Sequence, residues 1–143
     1  MTSADLPGGR VHEHWVQLRW SDPDSYGHVN HARALSLFED ARLAWAAAGP
    51  GVAPGEQPSI ILARLEVDYL RQLYHRVDER LRVRSWLTRL GRSSLTVRHE
   101  LVQDDAVAIR SDAVCVVFDA AAGRSRPMTD DERAFWAGWL VEG

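Results

Sequence analysis

The sequence predicts an α+β domain, with a long central helix wrapped by a five-stranded antiparallel sheet and followed by a short C-terminal helix. Two observations carry this. Apolar residues recur at helical spacing in one stretch near the N-terminus, and beyond it the chain alternates apolar and polar residues through four successive runs. A lone apolar helix beside a long twisted sheet buries itself against that sheet, so the order strand, helix, four strands, helix points to a single domain over residues 1–143.

Each element has its own warrant. Residues 1–10 contain Pro7, Gly8 and Gly9 and read as a loose leader. Val11 to Trp20 follows as a strand, with Val16, Leu18 and Trp20 among its strand formers. Turn-forming residues from Ser21 to Gly27 end it. From about Asn30, the spacing of Ala34, Leu35, Phe38, Ala41 and Trp45 predicts a helix that stops near Gly49 and Pro50. Residues 49–58, with three Pro and three Gly, form a loop. Ile61, Ala63, Leu65, Val67 and Tyr69 then share a core face, against Arg64, Glu66 and Asp68 on a wet face. The alternation returns in Leu81 to Leu87, Leu95 to Leu101 and Val107 to Val117, with Arg80, Arg82, Arg84, Arg98 and Glu100 on the solvent side. Turn signals at Gly91 to Ser94 and at Asp104-Asp105 separate these runs and predict a meander of four strands. Thr129 and Glu132 have the spacing of a capping box, and Phe135, Trp136, Trp139 and Leu140 follow at helical spacing.

Composition excludes several classes of function. Hydrophobic residues make up 45% and charged residues 26%, as in folded globular domains. The net charge is -3 and all 17 basic residues are Arg, with no basic tail, so no nucleic-acid partner is expected. No apolar window approaches a membrane span and no signal-peptide pattern opens the chain, which predicts a cytoplasmic protein with no membrane partner. The single cysteine, Cys115, alternates with core residues and reads as a small buried hydrophobe. His12 and His14 have no acidic or Cys companions, and no Gly-rich phosphate loop is present, so neither a metal nor a dissociable cofactor is expected.

The chemistry concentrates in Asp22 to His31, which packs Asp22, Asp24, His28 and His31 between a strand and the start of a buried helix. Free N–H groups and the positive dipole end of a helix favour developing negative charge, so a carboxylate, an imidazole and an oxyanion site are brought together. Further along the helix, Glu39 and Arg42 stand three apart and are expected to pair.

These residues resemble a family signature. The pattern D-x-D-x-x-G-H-V-N followed by F-E-x-x-R, matched by Asp22, Asp24, Gly27, His28, Val29, Asn30, Phe38, Glu39 and Arg42, is similar to that of hotdog-fold acyl-CoA thioesterases of the 4-hydroxybenzoyl-CoA thioesterase family. The resemblance extends to Val67 to Arg71 and to Leu90 to Leu95. It departs at Ala34, where many members have Tyr, and at Gln72-Leu73, where Pro often follows Arg, so the shape of the pocket is not implied.

The resemblance implies a hotdog fold and hydrolysis of acyl-CoA, or acyl carrier protein, thioesters to a carboxylic acid and a thiol. It maps the catalytic carboxylate onto Asp24, as nucleophile or general base, and the oxyanion site onto the amides around Asn30 and His31. It offers His28 as an orienting group and Ser93 as a contact to the thioester, while Asn30 reads as the N-cap and Asp22 as a brace. Arg71, Arg92 and Arg126 are candidate partners for the phosphates of coenzyme A, which belongs to the substrate. It also implies a homodimer or homotetramer with the site between subunits. Two alternatives stand beside this reading: a hotdog dehydratase or hydratase, and a non-catalytic acyl-CoA-binding protein.

Overall fold

The computed structural model describes residues 10–141. The expected leader, apart from Arg10, lies outside the described residues. Eight elements follow in order: β1 (His12–Gln17), α1 (His31–Ala47), β2 (Ile60–Tyr69), β3 (Arg80–Leu90), β4 (Ser94–Gln103), β5 (Ala106–Asp119), the short β6 (Arg124–Ser125) and α2 (Asp130–Ala137).

The strands pair antiparallel in the order β1-β3-β4-β5-β2, with β6 beside β5. The meander therefore holds for β3, β4 and β5 only. β2 does not adjoin β3 but crosses to the far edge beside β5, and the loop of residues 70–79 makes that crossing. Turn chemistry explains the hairpins. Asp104 and Asp105 take φ of 54° and 56°, the two left-handed residues of a two-residue turn whose twist matches its strands. At Gly91 an added Cβ would lie 2.9 Å from Ser94 Oγ, and the Gly91 N–H donates to the Ser94 carbonyl at 2.7 Å.

Helix α1 runs 17 residues, about 25 Å at ~1.5 Å per residue. Asn30 caps its start, accepting from the Ala32 N–H at 2.8 Å. Its buried residues Ala34, Leu37, Phe38 and Ala41 pack with Val16, Leu81, Val83 and Leu101 of the sheet. Trp45 and Ala46 join a second cluster with Leu87, Leu95, Ala113 and Cys115, closed by Trp136 and Trp139. Both bonds of the Thr129–Glu132 capping box form at the head of α2. The chain then pairs parallel onto Leu87, just beyond the point where β1 begins against Ser85, and Leu87 exchanges hydrogen bonds with Trp139 and Val141.

Several expectations are corrected by packing. β1 stops at Gln17 rather than Trp20, because the Asp22 N–H turns back to the Arg19 carbonyl at 2.9 Å. Ile61 and Ala63 are exposed, since a bulge between Leu62 and Arg64 shifts the alternation by one, so that Ile60, Leu65 and Val67 are the β2 residues packed against the core. Arg84 and Glu100 are buried rather than solvated. Opposite one another in register, they sit 2.6 Å apart, and the second Glu100 oxygen takes Arg110 at 2.7 Å. Arg42 does not pair with exposed Glu39; it turns into the core and lies 3.4 Å from His99 Nε2. His99 belongs to a register row on the helix-facing side of the sheet, His12–Ser85–His99–Ser111.

Candidate active site

The segment between β1 and α1 is held at both ends. The Asp22 carboxylate, fully enclosed, accepts from the Arg19 N–H at 2.6 Å and the Arg19 guanidinium at 3.0 and 3.1 Å, and lies 3.1 Å from Arg33 Nε of α1. Its carbonyl accepts from the Asn30 N–H at 3.3 Å. Burial alone would raise this carboxyl, but the Arg19 amide and the two guanidiniums hold it below its ordinary value. Asp22 thus ties the strand end to the helix start, the bracing role the sequence suggests.

Within that clamp, residues 24–28 form a tight turn. The Asp24 N–H donates to the His28 carbonyl at 2.7 Å and the Gly27 N–H to the Asp24 carbonyl at 3.0 Å. Gly27 has φ of +78°, a conformation that a side chain would strain. Asp24 Oδ1 accepts from the amides of Tyr26 at 2.8 Å and His28 at 3.2 Å. One oxygen fixes the turn, and the other, Oδ2, is unpartnered among the described residues.

The amides at the start of α1 are not equivalent. Asn30 N–H is taken by Asp22, Ala32 N–H by the Asn30 side chain, and the N–H groups of Arg33 and Ala34 by the Asn30 carbonyl. Only His31 N–H lacks a partner among the described residues. Of the two amides expected to form an oxyanion site, that of Asn30 is already taken by the loop and that of His31 is not.

Asp24, His28, Asn30, His31 and Arg71 line one open pocket of about 460 Å³. Val29, Leu73 and Ile109 form its apolar side, while Tyr69 and Gln72 add polar groups that sequence reasoning missed. Tyr69, assigned to the core by alternation, stands half exposed with its ring edge-on to His31 at 6.1 Å and its hydroxyl 3.5 Å from the His31 carbonyl. His28 meets Tyr74 edge-on at 5.8 Å. The signal for Tyr69 was the Val67 to Arg71 match, and Gln72 stood just past it as a departure; both marked the segment but not its position beside the helix.

The other candidates lie elsewhere. Ser93 precedes β4, whose Ser94 pairs with Val116, whereas the pocket adjoins the Leu101–Ile109 pair, seven residues (101 − 94) further along β4. At ~3.3 Å per residue that is about 23 Å, too far for Ser93 and Asp24 of one chain to meet. Arg92 shares the Ser93 end, its carbonyl accepting from Met128 N–H at 3.0 Å. Arg126 grips Glu132 through two bonds of 2.7 and 2.9 Å, which hold the Glu132 carboxyl down at about 2. Among the described residues no group of three or more His, Cys, Asp or Glu could hold a metal ion, and no helix is long and apolar enough to cross a membrane.

Residues 18–135 match the family model of the thioesterase-like superfamily. The chain belongs to that superfamily. This superfamily member is similar to the uncharacterized protein YsmA of Bacillus subtilis, with 26% identity over 119 residues, 82% of this chain and 80% of that one. Among solved structures it resembles a predicted thioesterase from Bacillus stearothermophilus, with a TM-score of 0.84 and 25% identity over 94% of this chain and 99% of that one. It also resembles a thioesterase from Thermus thermophilus solved with coenzyme A and Zn, with a TM-score of 0.74 and 31% identity over 89% and 97% of the two chains. The antiparallel sheet with two helices is the arrangement of these hotdog thioesterases. The match is to the superfamily and assigns no acyl group such as 4-hydroxybenzoyl.

Proposed function

We propose that this superfamily member hydrolyses acyl-CoA thioesters, with Asp24 as the catalytic carboxylate. The observation that carries the reading is the convergence of Asp24 and the unpartnered His31 N–H on one pocket. As the carbonyl carbon is attacked, charge moves onto its oxygen, where a fixed amide at a helix N-terminus stabilises it more than the neutral ground state. Asp24 Oδ2 either takes a proton from the attacking water or attacks the carbon itself. His28, on the same wall, orients water or substrate. Arg71 forms no ion pair among the described residues, although Asp104 lies within its Coulombic reach, and it is the pocket's own candidate for a phosphate of coenzyme A. The coenzyme A bound by the Thermus thermophilus relative supports that carrier for this chain.

Ser93 and Arg92 enter this reading through a second subunit, whereas the Arg126 guanidinium is already committed to Glu132. β2 is an edge strand with Ile61, Leu62 and Tyr69 exposed. Antiparallel pairing of two β2 edges about a twofold axis sets the Ile60 end of one chain beside the Tyr69 end of the other. Ile60 lies across Val117 from the Ser93 turn, so the pairing carries one chain's Ser93 and Arg92 toward its partner's Asp24. The proposed assembly is such a homodimer, alone or doubled into a tetramer.

The two amide bonds to Asp24 Oδ1 also suit a purely structural turn, as in a protein that binds acyl-CoA without turnover. Asp24→Asn separates the two. It keeps the shape and removes the charge, and kcat should fall by roughly a thousandfold, about 4 kcal/mol of transition-state stabilisation. Release of thiol from acyl-CoA reads the outcome. More than a tenth of the original kcat in a folded variant would overturn the assignment. A hydratase would alter the acyl chain and leave the thioester intact.

A further inference from the structure

The open pocket beside Asp24 ends on a closed floor. Leu73 and Ile109 line it, yet they are only 2% and 4% exposed and belong to the same packed cluster as Ala34 and Leu37. Leu73 is pinned there, because its carbonyl accepts from the Val29 N–H at 3.2 Å. The wall above it is mostly polar, with Asp24, His28, Asn30, His31, Tyr69 and Gln72 around the opening and only Val29 and Leu70 as apolar lining besides the floor. Nothing along this lining leads between α1 and the sheet, where Leu37, Phe38, Val83 and Leu101 are packed to 2% exposure or less.

We infer that the site takes thioesters of short acyl groups and that Leu73 sets the limit on chain length. This rests on the hydrolase reading and extends it. A short acyl group reaches the floor with its carbonyl still beside His31 N–H and Asp24. Each further methylene meets Leu73 or turns back along that mostly polar wall, and so gains little apolar burial. A tube that buried the chain would improve kcat/KM by about fourfold per methylene.

The test uses the assembled protein and a series of acetyl, butanoyl, octanoyl and hexadecanoyl CoA. kcat/KM should level off at butanoyl, with octanoyl no better. A rise approaching the roughly 250-fold expected for four buried methylenes would overturn the inference while leaving the hydrolase reading intact. Absence of thiol release from every member would instead sink the hydrolase reading. Calorimetric Kd values across the same series would then still report whether longer chains gain affinity. Leu73→Ala, or Leu73→Val if the larger truncation unfolds the chain, should raise the octanoyl-to-butanoyl ratio of kcat/KM by tenfold or more for Ala and by a smaller factor for Val. An unchanged ratio in a folded Leu73→Ala variant, or in Leu73→Val where only that variant folds, would show that Leu73 does not set the limit.

Discussion

At the scale of single residues, the site is a division of labour between two neighbouring carboxylates. Asp22 is enclosed and spends its charge on Arg19 and Arg33, whereas Asp24 is exposed and spends one oxygen on the turn. Asp22→Asn should therefore act on stability, costing about 1–3 kcal/mol because two guanidiniums lose their counter-charge. Urea unfolding measures the loss, and kcat of the folded fraction should change far less than in Asp24→Asn. Equal loss of kcat in both variants would contradict this division. Asp24, Asn30 and His31 were legible in the sequence because one local motif holds them. Tyr69 and Leu73 were not, since they reach the site through long-range pairing, β2 on β5 and Val29 on Leu73. No spacing along the chain announces such neighbours.

At the scale of elements, hydrophobic period located every long strand and both helices but missed the bulges. One extra residue at Ala63 turns Ile61 outward, and that outward turn furnishes the apolar edge proposed to pair with a second subunit. Leu62→Lys places a charge on this edge and should yield a folded monomer by sedimentation, with kcat/KM reduced at least tenfold if a partner completes the site. Full activity in such a monomer would remove the partner from the mechanism. The N-cap of the C-terminal helix was readable to the residue, since a capping box is local. Thr129→Ala deletes the acceptor for Glu132 N–H and should cost about 1 kcal/mol in urea unfolding, with no change in activity.

At the scale of the whole molecule, the order of strands was the part the sequence withheld. Alternation states that a strand has a wet face without naming its neighbour, and β2 crossed to β5. The same limit hid the buried ionic and imidazole groups, which depend on what lies across the sheet. His99 illustrates the consequence for stability. Arg42 can only donate, so His99 Nε2 accepts and its Nδ1–H faces Ser85 Oγ at 2.6 Å. Burial first, then the charge of Arg42 and the proximity of His12, hold this imidazole well below its ordinary 6.5. Burial lowers His12 as well. Unfolded imidazoles take up protons near 6.5 while the folded ones do not, so stability should fall as pH drops through that value. The slope approaches about 1.4 kcal/mol per pH unit for a fully enclosed ring. Glu132 adds a further loss between 4.5 and about 2, as its carboxylate leaves Arg126. Denaturant midpoints constant from pH 7 to pH 5 would contradict the His99 account.

Cys115 settles a practical matter at this same scale. It is the only sulfhydryl in the chain, it lies at zero exposure under α1, and burial pushes its ionisation upward. A colorimetric reagent that counts newly liberated coenzyme A reacts with thiolates, so the folded protein contributes almost no background signal of its own. Any slow residual colour in a substrate-free blank would report how often the sheet parts from its helix, and the same cuvette would serve as a clock for breathing of the core.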